Sequence, residues 1–206
     1  FLENLLRGMS KDIILEKVRS KASWITEKLL FYKDMEYNAI KKHFVNGESF
    51  MYLGRDYSLQ IQIEPQCKRS EVKLKQGKLY ISTPSNDENV IRDAMERWYR
   101  ERGLEQIKER IEYYQPKFPC KPRAVRVKEQ KRRWASCTGK DDLLFNWRCI
   151  MAPLPVVDYI IVHEMCHMVH KNHSKQFWDM VASILPDYKE RREWLKKNGI
   201  SIAMQI

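Results

Sequence analysis

The chain has 206 residues, 43% of them hydrophobic, with a formal net charge of +11. That is enough for one large domain or two small ones with a real core, and no apolar run approaches the ~20 residues that span a bilayer. Five scattered cysteines (Cys67, Cys120, Cys137, Cys149, Cys166), with no CxxC pair, argue against a cysteine-rich zinc site or a disulfide framework and predict a reduced, cytoplasmic protein. The start, "FLENLLRGMSKDII", has no basic stretch ahead of an apolar one, so no signal peptide is expected. It also lacks an initiator Met, as a processed fragment would.

Ser10 fits as the N-cap of one or two helices, with Ile14, Val18, Ile25 and Leu29 at helical spacing. "ESFMYLG" and "DYSLQIQIE" read as strands around a turn at Gly54-Arg55. "EVKLKQGKLYIST" reads as a hairpin turning at Gln76-Gly77. Asn86 or Asp87 caps a long helix that runs to Tyr114, and Pro116, Pro119 and Pro122 end it. "RAVRVKEQ" alternates, with Val125 and Val127 opposite Arg126 and Lys128. "KRRWASC" and "LLFNWRCIMA" read as strands around "TGKDD". Pro155 suits the first turn of a helix through Asn172. Ser174 caps a second helix, and Asp187 caps a last one that Gly199 closes.

Between Lys117 and Arg133 stand eight Lys or Arg and one acid, Glu129. Such a cluster suits a polyanion, because phosphate contacts release counterions. It equally suits a solvated surface. Trp134 reads as a core tryptophan or as a base-stacking residue.

"HEMCHMVHKNH", from His163 to His173, holds four of the five histidines. Residues i and i+4 are neighbours on one helix face, roughly 6 Å apart at Cβ. His163 and His167 can therefore reach one Zn²⁺ at about 2.0–2.1 Å, with Glu164 beside them as a non-ligating base. A catalytic zinc needs a third protein ligand. His170 lies about 10 Å along the axis from His163 on an unbroken helix and stacks past the metal. Asn172 tolerates the left-handed conformation that ends helices, and a sharp turn there would swing His173 back to the site. The ligand set is thus His163, His167 and His173.

The segments "RWASC", "NWR", "IVHEMCH", "NHSKQFW" and "PDYKERREWL", with "RSKASWI", "GESFMYLGRDYSLQI" and "GKLYIST" upstream, closely resemble the YgjP-like family of zinc-dependent peptidases over nearly the whole chain. That family is more distantly similar to SprT/Spartan-type proteases, which share HExxH-x5-H followed by an aromatic, here Phe177. The resemblance implies zinc at His163, His167 and His173, with Glu164 catalytic. Metzincins share the spacing but carry Gly where this chain has His170, and the 33 residues after His173 hold no Met-turn pattern. The family pattern also places a strand pair before the first helix. Here "FLENLLRG" alone precedes it, which predicts a missing strand and an exposed sheet edge.

The expected architecture is α+β. A helix and β-hairpin region covers 1–85 and a long connecting helix 86–115. A zincin-like catalytic domain covers 116–206, its small β-sheet packed on the HExxH helix. The expected reaction is peptide hydrolysis with one zinc per chain. Zinc polarises the scissile carbonyl and lowers the pKa of the attacking water to ~7. Glu164 takes that water's proton and delivers it to the leaving amine. "LLFNWRCIMA" is the expected edge strand for an extended peptide or protein substrate. His170, Tyr188 and Arg191 are candidates for supporting the ligands or stabilising the oxyanion. A second function class is a basic nucleic-acid-binding module whose zinc is structural or vestigial. It rests on Arg123, Arg126, Lys128, Lys131, Arg132 and Arg133. The two can coexist in a peptidase acting on DNA-associated proteins.

Overall fold

The computed structural model describes residues 11–23, 25–26, 42–130 and 133–203. Ser10, Leu29 and the rest of the helical reading over 27–41 lie outside the described residues, as do Lys131 and Arg132. Residues 1–40 and 41–206 form two compact units. In the first, α1 (Lys11–Ser20) has Asp12 in its first turn and Lys17 and Arg19 in its last, the signs that the helix dipole favours at each end.

The second unit is α+β. Strands β1 (Ser49–Tyr52), β2 (Arg55–Ile63), β3 (Glu71–Lys75) and β4 (Lys78–Thr83) form one sheet in the order β1-β2-β4-β3. Both hairpins turn on two residues with positive φ, Leu53-Gly54 (49° and 74°) and Gln76-Gly77 (48° and 73°). Such turns match the twist of the flanking strands. Strand β4 pairs with β2 in parallel, Ser58 opposite Lys78 through Ile63 opposite Thr83. The second hairpin therefore folds with β4 inside and β3 at the edge. Leu53 and Gly54 donate their N–H groups to the carbonyls of Ile150 and Met151 at 2.8 and 3.0 Å. A Cβ on Gly54 would lie 2.8 Å from Pro153, so glycine permits both the turn and this close approach. The sheet is thereby docked on the segment that leads into the histidine helix.

Helix α2 (Glu88–Tyr114) is 27 residues long and begins at Asp87, whose side chain accepts from the Asn89 N–H at 2.8 Å. It buries Ile91, Met95, Tyr99, Ile107 and Ile111. Its length lets it pack on β3 and β4 and also on the second sheet and α3. That second sheet contains β5 (Ala124–Lys128), β6 (Ala135–Cys137) and β7 (Asp142–Asn146) in the order β5-β7-β6. The strand expected over "LLFNWRCIMA" stops at Asn146. Its side chain accepts from the Arg148 N–H at 3.0 Å and starts a 3-10 helix, Trp147–Met151. Strand β7 is also central, pairing in parallel with β5 and antiparallel with β6. The edge facing α3 is β6.

Helix α3 (Leu154–Val169) has Pro155 in its first turn, and α4 (Lys175–Ile184) is capped by Ser174. Helix α5 (Tyr188–Ala203) runs through Gly199 rather than ending there. A Cβ on Gly199 would sit 3.0 Å from Cζ2 of Trp134. The glycine makes room for that indole, which packs half-buried against the core. Helix α3 is held from α2 by Arg110, whose Nε and Nη2 reach the two oxygens of buried Asp158 at 2.7 and 2.9 Å, while the Tyr114 hydroxyl donates to the same carboxylate at 3.0 Å. Among the described residues no helix is long and apolar enough to cross a membrane.

Candidate metal centre

Helix α3 is apolar before the motif, with Val156, Val157, Ile160, Ile161 and Val162 all buried. That burial fixes its rotation and puts His163 and His167 on one half-buried flank. The helix ends at Val169, earlier than the expected stop at Asn172. His170 adopts extended angles (φ −121°, ψ 104°), and Asn172 is not left-handed. The chain leaves the helix at His170 because that residue's carbonyl is turned back to face Nδ1 of His167 at 3.0 Å. His173 then folds over the flank.

The Nε2 atom of His173 lies 3.0 Å from that of His163 and 3.2 Å from that of His167. The three residues offer ligand atoms all within 4.8 Å of one another and could hold a metal ion. A tetrahedral zinc at about 2.05 Å from each nitrogen would space them about 3.3 Å apart. The chemistry of the donors also fits. A carbonyl can only accept, so Nδ1 of neutral His167 carries the hydrogen and Nε2 presents a lone pair. Phe177, fully buried, forms the floor, its ring centroid 4.9, 4.6 and 4.8 Å from those of His163, His167 and His173. Burial pushes His163 down to about 3, helped by the neighbouring histidines and Arg192. It therefore stays the neutral ring a cation needs.

Glu164 is buried, and desolvation pushes its carboxyl up to about 7, against a hydrogen bond from the Cys137 backbone N–H and the charge of Arg133. The ladder explains that hydrogen bond. Asn146 donates to the Trp134 carbonyl and Thr138 to the Asp142 carbonyl. By alternation the backbone groups of Ala135 and Cys137 face away from β7, toward the open edge.

The structure places the remaining sequence candidates as follows. His170 contributes its carbonyl, and its half-buried ring is not in the nitrogen cluster. Tyr188 stacks on Trp178 at 5.5 Å and 20°. Trp178 in turn stacks on His173 at 5.6 Å. Arg191 donates to Asp187 at 2.9 Å and to the Pro155 carbonyl at 3.0 Å, tying α5 to the start of α3. In the basic stretch, Arg126 and Lys128 are exposed on β5, with Val125 and Val127 turned toward the core. Arg123 is engaged in a fork on Asp142, and Arg133 is exposed near Glu164.

Sequence reasoning missed Tyr159, Trp178, Arg192 and the Cys137 N–H. Tyr159 had a readable signal, standing four residues before His163, and its ring lies 5.8 Å from that imidazole. Arg192 stands four after Tyr188 and lies over Trp178 at 5.0 Å.

Among solved structures, the crystal structure of the metallopeptidase zymogen of Pyrococcus abyssi abylysin is similar to this chain at 20% identity, with a TM-score of 0.41, over 44% of this chain and 93% of that one. No curated protein matches the chain. The YgjP-like metallopeptidase domain matches residues 5–198, a span that takes in both sheets, α3 and the histidine cluster. The chain belongs to the YgjP-like family.

Proposed function

We propose that the chain is a zinc-dependent peptidase, with His163, His167 and His173 as the zinc ligands and Glu164 as the general base. The observation that carries this reading is the convergence of three Nε2 atoms, with Glu164, the residue after His163, buried and its carboxyl pushed up by desolvation. Zinc, when bound, supplies a Lewis acid that polarises the scissile carbonyl and the attacking water. Glu164 takes the proton from that water at its carboxylate and passes it to the leaving amine. A base with a pKa close to the working pH does both with the least mismatch. The Cys137 N–H holds the carboxylate in place. The outward carbonyl of Cys137 and both backbone groups of Ala135 offer β6 to an extended peptide as a further strand. The test is hydrolysis of an unfolded protein before and after chelation, with zinc restored. Activity that vanishes and returns supports the reading, and activity indifferent to chelation refutes it.

A second reading adds nucleic acid as a partner. Exposed Arg126 and Lys128 on one face of β5 favour it, and Arg133 extends the charge toward the site. Binding through phosphates would weaken steeply with salt. A titration of labelled DNA at low ionic strength decides it, and no binding there would withdraw this partner.

A further inference from the structure

Arg192 has donors to spare. On α5, Arg191 is engaged with Asp187 and the Pro155 carbonyl, and Lys196 with Glu193. Among the described residues Arg192 forms neither a hydrogen bond nor an ion pair. Its contact is the face of Trp178, 5.0 Å from guanidinium carbon to ring centroid. Stacking of this kind fixes the guanidinium plane but uses none of its N–H groups, which project from the edge as a fork. The stack continues inward, because Trp178 lies 5.6 Å from His173 and 5.8 Å from His163. Tyr188, one turn earlier on α5, stacks on the same indole.

The unpaired charges near the histidine cluster are mostly positive. Arg133 acts on Glu164 from the β6 side. Lys171, beyond α3, is neutralised by Asp141 at 2.5 Å. Asp187 is taken by Arg191. Among the described residues no acid pairs with Arg192, so its exposed fork is open to an anion from outside. A carboxylate is the planar, two-oxygen partner that a guanidinium fork fits.

The geometry points to Arg192 as a specificity-determining residue that binds a carboxylate of the substrate on the Trp178 side of the histidine cluster. This rests on the peptidase reading. The carboxylate is either an acidic side chain near the scissile bond or the free C-terminus of the peptide. The two share one chemistry and differ in which peptides are preferred.

The test uses zinc-loaded wild type, Arg192→Gln and Arg192→Lys, each checked by thermal melting. The substrates are quenched peptides matched in pairs, Glu against Gln at each position and free against amidated C-terminus. Binding of the same peptides is measured by calorimetry on zinc-loaded Glu164→Gln, with and without Arg192→Gln. One charge-assisted fork favours the acidic peptide by about tenfold in KM and in binding. Arg192→Gln should reduce that ratio to about one, and Arg192→Lys should restore part of it. A Glu-dependent preference identifies a side-chain carboxylate, and a free-terminus preference identifies the α-carboxylate. Three results overturn the proposal: no acidic preference in wild type, a preference that survives Arg192→Gln, or an equal fall in kcat for every peptide. Arg192-dependent binding without any cleavage would uphold the proposal and sink the peptidase reading instead.

Discussion

The carbonyl oxygen of His170 faces Nδ1 of His167 at 3.0 Å. This contact couples the end of α3 to the orientation of a metal-ligand candidate. It fixes the ring's tautomer and its angle, and it is made by backbone, so it does not depend on what side chain stands at 170. We therefore expect His170→Ala to retain about one zinc per chain and His173→Ala to lose it, as read by elemental analysis after gel filtration. Equal zinc in the two variants would move the third ligand away from His173.

Phe177 supports all three imidazoles from below. Truncating a fully buried phenylalanine costs about 3–5 kcal/mol, and loosening the residues that orient ligands typically weakens metal affinity by about 10–100-fold. Phe177→Ala should show both effects, in a denaturant titration of the metal-free protein and in a zinc competition assay. Phe177→Leu should recover most of the stability. Unchanged zinc affinity in a destabilised Phe177→Ala would show that the floor serves folding alone.

Much of this centre was legible because its determinants are local. His163 and His167 are an i, i+4 pair, and Ser174 marks the restart of a helix just after His173. The helix break was placed too late, at Asn172, because the sequence carries no sign that the His170 carbonyl would be turned back onto His167. The sheets were less legible. The parallel pairing of β4 with β2 and of β7 with β5 joins strands that are not consecutive, and hydrophobic alternation says nothing about sheet order. "LLFNWRCIMA" therefore looked like an edge strand, when β7 is central and Asn146 caps a 3-10 turn. Gly199 looked like a stop because its partner, Trp134, is 65 residues away in the chain. Arg192 was invisible for the same reason, since the indole it covers belongs to another helix.

The pair between Arg110 and Asp158, with Tyr114, ties α2 to α3 on the side away from the histidines. Removing one partner of a fully buried pair costs about 3–5 kcal/mol, an upper bound here because Arg110 is only part-buried. Asp158→Ala should lose stability up to that order in a urea titration, and Asp158→Ala with Arg110→Met should recover part of it. If the double variant is no better than the single, the cost lies in packing rather than in the stranded guanidinium.

Glu129 gives the fold a defined acid sensitivity. Burial raises its carboxyl, but the Trp147 indole N–H at 2.7 Å and the charges of Arg148 and Arg100 outweigh this, so its pKa is lowered from the ordinary 4.5. A depressed carboxyl stabilises the fold above its unfolded value and loses that contribution as pH falls through the folded value. Wild type should therefore lose stability relative to Glu129→Gln as pH drops from about 6 to about 3. Parallel stability curves across that range would show that the Glu129 pair contributes nothing.

The central claim is that Glu164, between two histidines of the cluster yet outside it, moves the proton that peptide hydrolysis requires. Loss of a general base slows turnover by about 10²–10⁴-fold, while a non-ligand leaves the metal in place. The most direct measurement is the cleavage rate of an unfolded protein by wild type and Glu164→Gln, each verified to carry one zinc. Equal zinc, closely similar melting curves and a rate at least about a hundredfold lower in the variant are expected. Equal cleavage rates at equal zinc content would contradict the claim.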